Sequence, residues 1–173
     1  MIIDFQGKSP KIGNNVFIAP DAWIIGDVTI EDNVSIFFGA ILRGDIKPIF
    51  IGKNTNIQEH CVIHSSPFSF DVQVGQNVTI GHRAIIHSAI VRDYSLIGMG
   101  STILDNAVIE LETVVGANSL VTENKVMPAG YLILGSPATP VRPLSDEEKG
   151  FLRLSADHYL EKGRQYRALH LSK

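Results

Sequence analysis

Two histidines, His64 and His87, stand where an otherwise periodic sequence loses its rhythm, and a third, His82, lies five residues before the second of them. His64 follows the aliphatic run in "NIQEHCVIHSSPFSF", while His82 and His87 bracket "HRAIIH". A neutral imidazole is a good ligand for a borderline-soft cation, and three of them around Zn2+ leave a fourth position open for water or substrate. A single histidine on the outside of a strand is ordinarily a solvated surface residue. Whether these three act together depends on the elements that carry them.

Aliphatic residues recur every six positions: Ile12, Ile18, Ile24, Ile30, Ile36 and Leu42; then Ile51, Ile57 and Ile63; then Val74, Ile80 and Ile86; then Val91, Ile97, Ile103, Ile109, Val115 and Val121. Four residues after each, the side chain is mostly small or β-branched, as at Ala22, Val34, Ala40, Cys61, Ala84, Ser101 and Ala107. Turn formers cluster between them in "IGNN", "IEDN", "IGKN" and "VGQN". A period of six cannot keep one face of an α-helix apolar, whereas short strands joined by turns can satisfy it. Three hexapeptides per coil make a triangular prism with every aliphatic inside and each strand paired to the coils above and below. The repeat covers residues 12–134 and predicts a mostly β chain, a parallel β-helix of about seven triangular coils.

Counting hexapeptides assigns Ile12 to face B, Ile18 to face C and Ile24 to face A. Leu42, Ile63 and Ile86 then fall on face A in consecutive coils. The repeat breaks after those same three residues, with three extra residues before Ile51, five extra before Val74 and one missing before Val91. Repeat proteins gather insertions on one functional face. One position beyond each of these aliphatics stand Arg43, His64 and His87. Coils are spaced by about 4.8 Å, so His64 and His87 would be stacked neighbours able to share a metal. His82 follows face C and should not reach them within one chain; a neighbouring copy in a closed ring of three could supply it.

The remaining features exclude more than they specify. A formal net charge of −3, with 45% hydrophobic and 19% charged residues, gives no basic surface for nucleic acid. The longest apolar run, residues 36–42, is too short to span a membrane, and the start "MIIDFQGKSPKIG" lacks the pattern of a secretory signal. With Cys61 as its single cysteine, a cytoplasmic protein is the expectation. Cys61 occupies a small-residue slot and should be buried and inert. "LGSPATPVRPLS" is proline-rich and should leave the ladder. Ser145 and Glu148 then form a capping-box pattern for a helix whose stripe is Phe151, Leu152, Ser155, Tyr159, Lys162 and Tyr166. A single fold in two parts is expected, residues 1–138 as the parallel β-helix domain and residues 139–173 as the proline-rich turn and the C-terminal helix packing on it. Tyr159 and Tyr166 are read as packing, and His60, His158 and His170 as structural or surface residues.

"LRGD" (residues 42–45), "TNIQEHCVIH" (residues 55–64) and "GHRAIIH" (residues 81–87), in that order on a hexapeptide scaffold, resemble the γ-class carbonic anhydrases. The resemblance covers nearly the whole chain. It implies a left-handed β-helix, a homotrimer with metal sites at subunit interfaces, and His64, His82 and His87 as zinc ligands, His82 coming from the adjacent subunit. It also implies an Arg43–Asp45 ion pair at the subunit contact, and Asn56 and Gln58 as hydrogen-bonding groups beside a zinc-activated water that attacks CO2 to give bicarbonate. Glu59 stands where the family has an aspartate followed by glycine, and would accept the water's proton. Histidine sites also take Fe2+ and Co2+, so zinc is the first of three candidate metals. Acidic residues that would pass protons outward are sparse: the corner loop offers Asp71, and Ile46 follows Asp45. Low anhydrase activity is therefore the expectation. The rival readings are an acyltransferase of the same scaffold, using one histidine as base and acyl-CoA as donor, and a metal-binding homologue without catalysis.

Overall fold

Most aliphatics of the repeat sit in strands of two or three residues, and the turn after such a strand commonly bends the chain by placing one residue in the left-handed region. Asn33, Asn54 and Asn77 hold such positions at φ 61°, 58° and 56°, in the corner between faces B and C. Asparagine tolerates this conformation, and its amide has a second use here. Asn33 Nδ2 donates to Asn54 Oδ1 at 3.1 Å and Asn54 Nδ2 to Asn77 Oδ1 at 3.0 Å, a ladder running up the corner. His60 takes the same role elsewhere, at φ 59° in the corner between faces C and A.

The computed structural model describes residues 1–169 and is a parallel β-solenoid of about seven turns with one C-terminal helix, α1 (Asp146–Ala168). The face assignment read from the period is the register observed. Face A pairs Ile24, Leu42, Ile63, Ile86, Ile103 and Val121 in sequence up the prism. Face C pairs Ile18, Ile36, Ile57, Ile80, Ile97, Val115 and Ile133. Nearly all these side chains are at or near zero exposure, with Ala22, Ala40, Cys61, Ala84 and Ala107 filling the space between layers. Cys61 is buried as expected, and burial pushes its thiol up to about 12.

Three features depart from the expectation. Faces A and B are one sheet, because the long strands Trp23–Ile30 and Ile41–Ile51 run through the corner between them, with a register shift after Gly26. The proline-rich segment does not simply leave the ladder: Ala138–Pro143 folds back antiparallel on Tyr131–Gly135 and ends the face C sheet. Pro140 and Pro143 are tolerated because this is an edge strand, where a missing N–H disrupts no inner ladder. The break expected after residue 138 thus falls inside a hairpin. Phe151, expected on the buried stripe of α1, is 61% exposed.

The helix begins with the anticipated capping box, in which Glu148 N donates to Ser145 Oγ at 3.2 Å and Ser145 N to Glu148 Oε2 at 2.8 Å. It lies along face C, burying Leu152, Ala156 and Gly163. Tyr166 stacks on Phe17 with centroids 5.3 Å apart, and Tyr159 meets the edge of Phe37 at 5.9 Å. His170 lies outside the described residues.

At Gly163 the helix approaches the sheet closely, since a Cβ there would run into the Ser35 hydroxyl. Alanine in place of glycine favours an isolated helix by about 1 kcal/mol. Overpacking a tight contact costs about 1–3 kcal/mol. Gly163→Ala should therefore lower stability, and an unchanged or raised midpoint in urea unfolding would mean that the helix docks less closely than described.

Candidate metal centre

The corner between faces A and B brings His64 and His87 together. The strands Val62–His64 and Ile85–His87 pair in register, so that His87 lies directly above His64 with ring centroids 5.3 Å apart. His64 Nδ1 and His87 Nε2 face each other at 3.3 Å. Each ring is held from its far side by a carboxylate. His64 Nε2 meets Asp45 Oδ1 at 3.1 Å, and His87 Nδ1 meets Asp105 Oδ1.

Burial raises the pKa of Asp45, but hydrogen bonds from Arg43 and His64 and the Arg43 charge outweigh it and hold the carboxyl below its usual range. Asp105 follows the same pattern, with burial opposed by hydrogen bonds from His87, Ser69 and Ser66. Both are therefore carboxylates at neutral pH and can only accept. The protons of the two rings then sit on His64 Nε2 and His87 Nδ1, and the facing nitrogens both present lone pairs. Two lone pairs at that distance repel unless something positive lies between them. Two ligands at about 2.0–2.1 Å from one tetrahedral ion are themselves separated by about 3.3 Å, so the donor pair fits a divalent cation. Burial pushes His64 below its ordinary pKa, more than Asp45 raises it, which keeps the ring neutral and ready to ligate.

His82 stands at the corner between faces C and A with a carboxylate of its own, Glu59 Oε2 at 2.6 Å from Nδ1. That contact commits Glu59 to orienting His82. Gln58 and Asn56 accompany them on face C rather than the His64–His87 corner. The His82 backbone N–H donates to Gln58 Oε1 at 3.2 Å, Gln58 Nε2 to Asn56 Oδ1 at 3.2 Å, and Asn56 Nδ2 to Thr79 Oγ1 at 3.0 Å. The chain ends on the helix, where Thr79 Oγ1 lies 3.2 Å from Ser155 Oγ. Beside it opens an apolar cleft of about 410 Å3 between face C and α1. Leu96, Met99, Val114 and Phe151 line it together with Tyr159, whose pKa is raised by burial and the Glu59 charge. Among the described residues, no group of three potential ligands converges within one chain.

Arg43 Nη1 and Asp45 Oδ2 are 2.5 Å apart within the chain, so the pair forms without a partner subunit. Asp105 was not singled out from sequence. Its signal was available, because it follows Ile103, the face A residue one coil above Ile86, in the same broken corner.

No family model matches the chain. The carbonic anhydrase of Geobacillus kaustophilus is 43% identical over 169 residues, covering 98% of this chain and 92% of that protein. The chain belongs to the γ-class carbonic anhydrase family. Mitochondrial γ carbonic anhydrase 2 of Arabidopsis thaliana is 42% identical over 158 residues, 88% of this chain, and the chain spans only 57% of that relative's length. Protein YrdA of Escherichia coli is 40% identical, over 91% of this chain and 89% of its own. Among solved structures, one described as a putative acetyltransferase from Bacillus cereus superposes with a TM-score of 0.96 at 39% identity, covering 98% of both chains. The hexapeptide left-handed β-helix implied by the resemblance goes with this membership. No helix among the described residues is long and apolar enough to cross a membrane.

Two outcomes are expected. Asp105→Asn should weaken zinc binding by roughly 10–100-fold, as loss of a ligand's carboxylate partner commonly does; unchanged affinity in a competitive chelator titration would remove Asp105 from the centre. In the metal-free protein, His64 should titrate below an ordinary histidine by NMR, and Asp45→Asn should move it lower still, because the lost carboxylate was raising it. The folded state thus resists protonation at His64, so this contribution to stability is complete above the ordinary histidine pKa and declines as pH falls below it.

Proposed function

We propose that the chain hydrates CO2 reversibly to bicarbonate at a divalent metal centre, zinc in the first instance and Fe2+ or Co2+ as alternatives, completed between subunits of a homotrimer. The convergence of His64 Nδ1 and His87 Nε2 at 3.3 Å, with the outer nitrogens on Asp45 and Asp105, carries this reading. His64 and His87 from one copy and His82 from the next hold the ion. The outward column of face A supports the contact between copies. Trp23, Ile41, Val62, Ile85, Thr102 and Leu120 stack up it, each half-buried or exposed in the single chain, between the corner with His64 and the corner with His82. An exposed apolar stripe of this kind marks an interaction surface.

Zinc, where bound, supplies the Lewis acidity that makes water a nucleophile near neutral pH, as in carbonic anhydrases. Asp45, Asp105 and Glu59 fix the tautomer and direction of the three rings. Gln58, immobilised by Asn56 and by the His82 N–H, sets an amide beside His82 that orients CO2 or bicarbonate.

The proton has a poor route out. Asp71 is half exposed and lies 3.8 Å from Lys47, and Ile46 follows Asp45. Slow proton release limits turnover on this reading, and small buffers take over the transfer.

The decisive experiment measures metal content and CO2 hydration on one preparation, with His64→Ala, His82→Ala and His87→Ala alongside. Each variant should lose the metal, and hydration with it. Bound metal without hydration under reducing conditions with Zn2+, Fe2+ or Co2+ would retain the centre and remove the reaction. In the wild type the rate should rise with imidazole buffer concentration at fixed pH; a buffer-independent rate would show that a proton path exists within the protein. The likeness to the Bacillus cereus structure described as a putative acetyltransferase favours one second reading, transfer of an acyl group from acyl-CoA with one histidine as base. Thiol release from acetyl-CoA that survives removal of metal would favour it.

A further inference from the structure

The loop of residues 65–71 leaves the metal corner directly after His64 and presents an aromatic tip. Phe68 is 97% exposed and Phe70 41%. The loop is nevertheless pinned on both sides of that tip. Ser66 N donates to Ser88 Oγ at 2.7 Å, Ser69 Oγ to Asp105 Oδ2 at 2.7 Å, Phe70 N to Asn106 Oδ1 at 2.9 Å, and Lys47 Nζ to the Ser69 carbonyl at 2.6 Å. Five of its seven residues are Ser, Pro or Phe before Phe70 and Asp71 close it, so the tip carries no charge. A large apolar side chain held rigidly in solvent is a knob without a hole.

The hole is at the other edge of the same face. Face A ends on one side at the His64–His87 corner with its knob, and on the other at the His82 corner, beyond which opens the apolar cleft lined by Leu96, Met99, Val114 and Phe151. The exposed stripe of Trp23, Val62 and Ile85 joins the two edges. A knob and a hole at opposite edges of one surface make a head-to-tail contact, which closes into a ring when the rotation between copies allows it. We infer that Phe68 of one copy seats in the cleft beside His82 of the next copy, so that the occupant of the cleft is a second copy of this chain and the centre is roofed by an aromatic side chain from across the contact. The inference rests on the proposed sharing of His82, because only then do the loop and the cleft meet.

Phe68 and Met99 are both largely exposed in the single chain, so cysteine at either leaves the core untouched. Cys61 is buried with its thiol pushed up to about 12 and does not compete. Phe68→Cys and Met99→Cys would be made singly and co-purified as a mixed oligomer, then kept reduced and treated with a short bis-maleimide. A shift from one-chain to two-chain mass on a reducing gel after bis-maleimide, in the mixture and in neither single variant, supports the contact. Phe68→Asp should lower the oligomer's dissociation midpoint while Phe68→Leu retains it. An oligomer that binds zinc through His82 yet gives no two-chain band overturns the knob in the cleft and leaves the shared centre standing. A monomer that binds no zinc overturns both.

Discussion

Everything in this molecule hangs on the parallel hydrogen bonding of one coil upon the next. Because most strands are only two or three residues long, none of these could hold its place alone; register comes from the stack of Ile, Val and Leu inside, repeated at identical height on three faces. A slip by one residue would turn every aliphatic outward. The same constraint fixes the outside. Since Ile63 lies under Ile86, His64 must lie under His87, and the spacing of the coils brings their facing nitrogens to the separation that a shared ion requires.

The carboxylates extend this logic from position to protonation. Each of the three candidate ligands has an acidic partner, Asp45 for His64, Asp105 for His87 and Glu59 for His82. None of the three comes from the coil that carries its histidine, so the pairs exist only when the coils are stacked. Asp105 also accepts from Ser69, which ties the orientation of His87 to the loop that follows His64. Folding and ligand orientation are in this sense one event, and the unfolded chain has no partial version of the centre.

The periodicity made the prism, its three faces and the broken corner legible, because a six-residue period with aliphatics in phase leaves few alternatives. Outcomes that depend on how far a side chain reaches were not legible. The pairing of Glu59 with His82 places that carboxylate on a ring, where a reading by motif had set it beside water. Asp105 escaped notice because leucine, not histidine, follows Ile103, so the column of residues one past the aliphatic skips it. The return of Ala138–Pro143 onto the last coil was hidden by its prolines, which speak against inner strands and say nothing against an edge. Gly163 as a contact point of α1 could not be read from an apolar stripe, since its contribution is the absence of a side chain.

The rigidity that aligns His64 with His87 also prevents the chain from bringing His82 beside them. His82 is bound to its own corner by the same register that binds His64 to the other, and face A lies between them. No local motion of a coil could close that gap without breaking several ladders at once. On the shared-site reading, the third ligand must therefore arrive with another copy, and metal binding and assembly become linked: an ion that binds only the assembled form draws free chains into it by mass action. The apolar column on face A and the tethered Phe68 would then favour association without metal, leaving the ion to select, among the ways two prisms can touch, the one in which His82 faces the His64–His87 pair.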